Sequence, residues 1–383
     1  SGAIQARWSA VQGGAERPWI FKVDANGERF AAGLPELNRL LGSAPRLSGE
    51  ASLAAGRVTV TKAALDGAQA HVQSAGTIGP AGALALKLDW TAAGPFRAGP
   101  VEITGKAKGS GSLTGDFKGP RADLLADFDS IDLPRLPLRN AHVTLTFMQV
   151  PDGSNGVVTI AADSQYGPAK ARSAFRFPQG GVDLTDIAVD AAGVKATGAF
   201  ALRRRAPSAA DLRVAVGPGA FLAGGQIAGA VKIVDGAGGA QANLNLKADK
   251  AVLPGGGLSI REGHITAAGP LAKLPYQASL VGANRSGPWS LEGRGTLATN
   301  DPGYQLTFDG GGQAGGRTLR TTEPAVFAFG GPAQSARLRL VSADGGRIDL
   351  DGRLADGAAD IKATVAKLGL RLLNGDLDGQ VDG

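Results

Sequence analysis

The sequence predicts an all-β chain, an elongated, mostly antiparallel meandering sheet with few short helices. Three observations predict it. Apolar and polar residues alternate with period two, turn signals punctuate the runs at short intervals, and helical spacing is nearly absent. The alternation is clearest in Leu84-Ala85-Leu86-Lys87-Leu88-Asp89-Trp90 and Val143-Thr144-Leu145-Thr146-Phe147. It returns in Leu212-Arg213-Val214-Ala215-Val216, Leu244-Asn245-Leu246, Leu338-Arg339-Leu340 and Ile348-Asp349-Leu350. Successive side chains on a strand point to opposite faces, so each run has one apolar and one polar side. That is the pattern of antiparallel strands with one face in water.

The turns are Gly- and Pro-rich. Pro151-Asp152-Gly153-Ser154-Asn155-Gly156, Asn300-Asp301-Pro302-Gly303 and Ala343-Asp344-Gly345-Gly346 are examples. Gly supplies positive φ and Pro presets φ, so such stretches connect hairpins. Three segments carry helical spacing. Leu34–Leu41 has Pro near its start and Gly42 at its end. Gly219–Ala223 is a shorter candidate, and Ala366–Leu373 fits helix or strand.

Each of the three leads into the same phrase. A Gly break is followed by Leu47-Ser48-Gly49, Ile227-Ala228-Gly229 or Leu377-Asp378-Gly379, opening a new strand series. A module that restarts gives four divisions. These are strands and a short helix over 1–46, a first β-module over 47–217, a second over 218–376, and the opening of a further one at 377–383. The chain reads as an excised piece of a longer protein, because it starts without Met and stops in mid-phrase.

Composition excludes several classes. With 383 residues and 43% apolar content, the chain can bury a core and is not disordered. It has no Cys and only His71, His142 and His264, so no disulfide framework, thiolate metal site or His cage is expected. No apolar run reaches the 18 residues that a membrane helix needs. Forty Lys and Arg against 34 Asp and Glu give a net charge of +6, with the densest cluster at Arg203-Arg204-Arg205. Aromatics at 5% do not suit a nucleic-acid platform, and that cluster reads as a solvated turn.

Little catalytic chemistry is on offer. Gly310–Gly315 fits GxGxxG, but the strand-like Arg317-Thr318-Leu319-Arg320 follows where a nucleotide site needs a helix. Asn374–Gly379 resembles half a calcium loop and reads as a turn. His71 reads as a polar-face residue, and His142 and His264 as strand-start residues. No nucleophile elbow, P-loop lysine or paired carboxylates for acid–base work occur. The expectation is a non-enzyme without cofactor or metal.

The segment Ala122–Phe147, with Asp127-Phe128-Asp129-Ser130-Ile131-Asp132-Leu133-Pro134 at its centre, resembles the TamB family. So does the helix–Gly–Leu-Ser-Gly phrase over 34–53. These AsmA-like proteins are the inner-membrane subunits of the translocation and assembly module. The resemblance implies a middle stretch of a periplasmic protein anchored in the inner membrane by a segment outside this sequence. It implies a curved sheet folded into a taco-like groove with a hydrophobic interior, carrying phospholipids between the inner and outer membranes. It also implies a link to outer-membrane protein assembly, with an outer-membrane barrel of the TamA/Omp85 type met through other regions.

Under that reading the groove is lined by Leu84, Leu86, Leu88, Trp90, Val143, Leu145, Phe147, Leu212, Val214, Val216, Leu244, Leu246, Leu306, Phe308, Leu338, Leu340, Ile348 and Leu350. Their role is to solvate acyl chains. Alternation fixes the face and not what covers it, so an open groove and a closed sandwich both remain. The competing reading is a secreted β-solenoid or adhesin-like binding protein, which calls for a short fixed repeat. A scaffold domain that never touches lipid is a third.

Overall fold

A computed structural model describes residues 2–31, 35–98, 101–133, 136–178, 180–203, 206–236, 238–300, 303–355, 357–369 and 380–381. The Arg204-Arg205 part of the basic cluster and the calcium-like turn at 374–379 lie outside them. So do Leu34 and the second half of the candidate segment 366–373. The chain is all-β, and its contacts divide it into two units, Ser1–Ala192 and Gly193–Gly383.

The first unit holds β1 (Ala3–Gln12), β2 (Trp19–Glu28), α1 (Pro35–Leu41), β3 (Arg46–Ala54), β4 (Arg57–Asp66), β5 (Ala70–Ile78) and β6 (Leu84–Ala93). It continues with β7 (Phe96–Ala98), β8 (Val101–Gly115), β9 (Pro120–Leu133), β10 (Leu136–Val150), β11 (Gly153–Ser164), β12 (Gly167–Phe177) and β13 (Gly181–Ala191). Each strand pairs antiparallel with the next, except that β8 extends past β6 and pairs there with the short β7.

The second unit runs β14 (Val194–Arg203), β15 (Ala206–Val216), β16 (Gly224–Val234), β17 (Gln241–Val252), β18 (Leu258–Pro270), β19 (Lys273–Asn284), β20 (Gly287–Thr299) and β21 (Tyr304–Ala314). Then come β22 (Arg317–Thr321), β23 (Ala325–Phe329), β24 (Ala333–Ser342), β25 (Arg347–Ala355), β26 (Ala358–Ala366) and the two-residue pair β27 (Leu368–Gly369) and β28 (Gln380–Val381). Pairing is again antiparallel and sequential, with β22 and β23 sharing the place between β21 and β24. A solenoid stacks parallel rungs, and no parallel pairing occurs among the described residues.

Sequence reading is corrected in three places. Gly219–Ala223 is a bend held by Gly219 N–H to Leu222 O at 2.8 Å and Ala223 N–H to Val252 O at 2.7 Å, not a helix. His142 and His264 sit inside β10 and β18 rather than at strand starts. The strands are also longer than the alternating runs suggest, because bulges hide within them. Register shifts between Arg139 and His142, and between Thr104 and Ala107, with Asn140 and Gly105 at positive φ. An extra residue resets the period, so Leu138 and Ala141 share one face although three apart. Period-two reading breaks at that point while the strand does not.

Burial is shallow. The chain exposes 22982 Å². Two compact globules of half its mass would together expose about 17,000 Å². Among the described residues no large side chain is fully buried. The buried clusters are small: Ile131, Leu138, Ala141, Ala162 and Ala169, then Ala92, Ile103 and Ala107, and in the second unit Ala210, Ile233, Ala242, Ala267 and Leu274.

The β8–β9 turn shows how exposed hairpin loops are held. Lys118 and Gly119 N–H donate to Asp116 Oδ1 at 2.8 and 2.9 Å. The Gly119 and Lys118 amides hold this carboxyl below its ordinary value of 3.8. A depressed pKa means the stabilisation is present above 3.8 and is lost as pH falls through the lower folded value. Asp116→Ala is therefore expected to lower Tm modestly at pH 7 and to show a smaller further loss in acid. Tm measured from pH 7 to pH 2 checks it; parallel curves for both proteins would contradict it.

Candidate functional site

The residues predicted to line one face do lie on one face within each unit. In the first unit, cross-strand rows join β6 to β10 through β8 and β9. They read Leu86–Leu113–Ala122–Phe147, Leu88–Gly111–Leu124–Leu145 and Trp90–Gly109–Ala126–Val143. Leu84 heads the same face of β6, opposite Ile78 and Gly115. The rows run on to Val158 and Ile160 in β11 and to Phe175 in β12. Toward β1 they pass Val72, Val60, Val23 and Phe21.

In the second unit, Leu212–Val231–Leu244–Ala267–Tyr276 and Val214–Gly229–Leu246–Ile265–Ala278 are continuous, and Val216 pairs with Ile227. Leu274, two residues before Tyr276, leads through Leu297 to Leu306, and Leu306 pairs with Phe327 as Phe308 does with Ala325. Leu338 faces Leu350, and Leu340 faces Ile348. Of the eighteen predicted residues only Leu84 is buried; the others are partly exposed. Polar neighbours such as Lys87, Asp89, Thr144 and Thr146 are more exposed than the apolar residues beside them.

Sequence reading missed the contributions of Leu113, Leu124, Phe175, Ile265, Tyr276 and Leu280. The signal was broken by bulges, and by glycines that read as turns but lie inside strands. Those glycines are seats for large side chains from the next strand. A Cβ on Gly263 would meet Leu280 Cδ2 at 2.7 Å, Ala248 Cβ at 3.2 Å and Ile260 Cγ2 at 3.3 Å. One on Gly156 would meet Phe175 Cζ at 2.6 Å, and one on Gly282 would meet Trp289 Cζ2 at 2.7 Å. Large side chains of the next strand thus take the space that a Cβ would occupy, which stabilises the strand. Tyr276 lies on Gly295 in the same way. Its hydroxyl donates to Thr307 O at 2.7 Å, and burial pushes its pKa up.

The polar face carries ordinary surface chemistry. His71 bonds Asp66 through Nδ1 and accepts from Gln73 Nε2 at 2.6 Å. His142 Nδ1 bonds Asp127 at 2.5 Å, and His264 meets Asn245 Oδ1 at 3.1 Å. Recesses of about 700 and 720 Å³ lie on this side, beside Lys108 and His142 and beside Gln277 and Arg294. They are open, and apolar residues such as Leu125 in the first and Pro275 and Pro324 in the second line them beside the polar side chains. Among the described residues no three His, Asp or Glu converge as a metal would require. The GxGxxG stretch lies in the β21–β22 hairpin and opens no helix.

Comparison with protein-family models, curated proteins and solved structures returns no match for this chain.

Proposed function

We propose that this chain is a segment of a bridge that carries phospholipids along its apolar sheet face. One observation supports the reading above the rest. Apolar rows continue across successive strands and stay partly exposed, and among the described residues no large side chain is fully buried to mark a filled second layer. A closed sandwich interdigitates two apolar faces into a packed core. An exposed apolar face of this extent calls for an apolar occupant.

An acyl chain supplies one. Each methylene moved from water gains about 0.8 kcal/mol, so a sixteen-carbon tail half-covered by such a face gains about 6 kcal/mol. That corresponds to a dissociation constant of about 4 × 10⁻⁵ M, loose enough for a lipid to shift from row to row. No step of bond making is assigned.

The setting comes from the TamB resemblance of residues 122–147 and 34–53. In it the bridge spans a Gram-negative periplasm between an inner-membrane anchor and an outer-membrane TamA/Omp85-type barrel. A groove with a hydrophobic interior is the form the face takes. Native mass spectrometry of the purified chain, with lipid extraction from the same preparation, tests the reading. Phospholipid masses on the folded chain are expected. A lipid-free, soluble monomer would overturn it and favour a scaffold.

A further inference from the structure

Hairpin connections alternate between two edges of the first unit, and these edges differ. One carries α1 and the β4–β5, β6–β8 and β11–β12 connections. There Leu40 packs on Ala92, Ile103 and Ala107, with Trp90 and Phe128 alongside. The helix is tied to the β4–β5 turn by Ala68 N–H to Leu41 O at 3.1 Å and Gln69 N–H to Leu40 O at 2.9 Å. The neighbouring cluster leaves Leu138 only 6% and Ala141 0% exposed. Among the described residues, the apolar side chains of β6 to β12 nearest this edge are therefore packed against one another. The exposed large residues on this side are Ile4 and Leu47, outside that stretch, and Tyr166 in the β11–β12 turn.

The opposite edge is formed by the turns 13–18, 55–56, 79–83, 116–119 and 151–152, with the end of β12 beside them. It presents Trp19, Phe21, Phe117 and Phe177, the last two 68% and 47% exposed. Phe177 extends the apolar row side of Phe175, their rings 5.3 Å apart. Phe117 lies over Gly82.

We propose that acyl chains enter the first unit's apolar face across this aromatic edge, and that the phospholipid headgroup stays there. This rests on the lipid reading above. A tail reaching the face from the α1 edge would have to displace Leu40 and open packed alanines. From the aromatic edge it covers side chains already facing water, and every covered ring adds apolar burial without breaking a contact. The polar headgroup, which gains nothing from the face, remains where the turns meet solvent.

The chain has no Cys, so single labels can be placed cleanly. Phe117→Cys, Phe177→Cys, Tyr166→Cys and Leu145→Cys would each carry a fluorophore, in protein loaded with phospholipid. One lipid bears a nitroxide on its headgroup and another bears bromine on its acyl chain. Headgroup nitroxide is expected to quench positions 117 and 177 several-fold more than position 166, with acyl bromine quenching 145. Equal or stronger headgroup quenching at 166, with 145 still quenched by bromine, overturns the entry edge and leaves the lipid reading intact. Absence of bromine quenching at 145 overturns both.

Discussion

Replacing Leu86, Leu145 and Leu246 together by Asp is expected to strip phospholipid from the chain while the strands still form. All three are partly exposed and sit in the middle of apolar rows. A carboxylate there keeps much of its hydration, so the folded state survives at reduced stability. The acyl chain has no such escape, since it must cross a charged position or leave the row. Losing contact with about four methylenes at a site removes about 3 kcal/mol, roughly a hundredfold in affinity. The control is Lys87→Asp, Thr144→Asp and Asn245→Asp, one residue away on the opposite face. It adds the same new carboxylates and is expected to leave bound lipid unchanged. Lipid retained by the folded Leu variant, or lost equally by the control, would contradict the assignment of the face.

Filling a glycine seat is expected to cost more stability than any surface change. Gly263→Val puts a branched side chain where Leu280, Ala248 and Ile260 already close in at 2.7 to 3.3 Å. All three contacts are side chains on the apolar face, so the new methyls can be accommodated only by lifting Leu280 from its seat. Overpacking of this kind costs about 1–3 kcal/mol. The expected readout is a clear fall in the denaturation midpoint with an unchanged m-value. Gly238→Val is the comparison, because nothing lies within 4 Å of a Cβ there. A Gly263→Val protein as stable as wild type would mean that Leu280 does not rest on this glycine.

Much of the fold was legible because period two is a direct readout of strand faces. Leu84, Leu86, Leu88 and Trp90 could be placed on one side from their spacing, but their register with Val143, Leu145 and Phe147 is set by the pairing through β8 and β9. What stayed hidden was local. A bulge at Asn140 shifts parity, so Leu138 and Ala141 look unrelated in sequence yet share a face. Gly156 looks like a turn residue and Gly282 carries no signal of its own, but their lack of a side chain is what seats Phe175 and Trp289. Gly219–Ala223 has helix-like spacing, yet its backbone groups find partners in a bend and in Val252 instead. The packed α1 edge depends on Leu40 reaching strands some fifty residues and more away, which no local pattern encodes.

The most direct test of the lipid-bearing face uses neighbouring residues on one strand. Thr144 and Leu145 are adjacent in β10 and point to opposite sides of the same sheet. Each is replaced by Cys, labelled with the same fluorophore, and titrated with phospholipid brominated on its acyl chain. Quenching at position 145 with little change at 144 is the predicted result. Equal quenching at both positions, or none at 145 in protein that has bound the lipid, would contradict it.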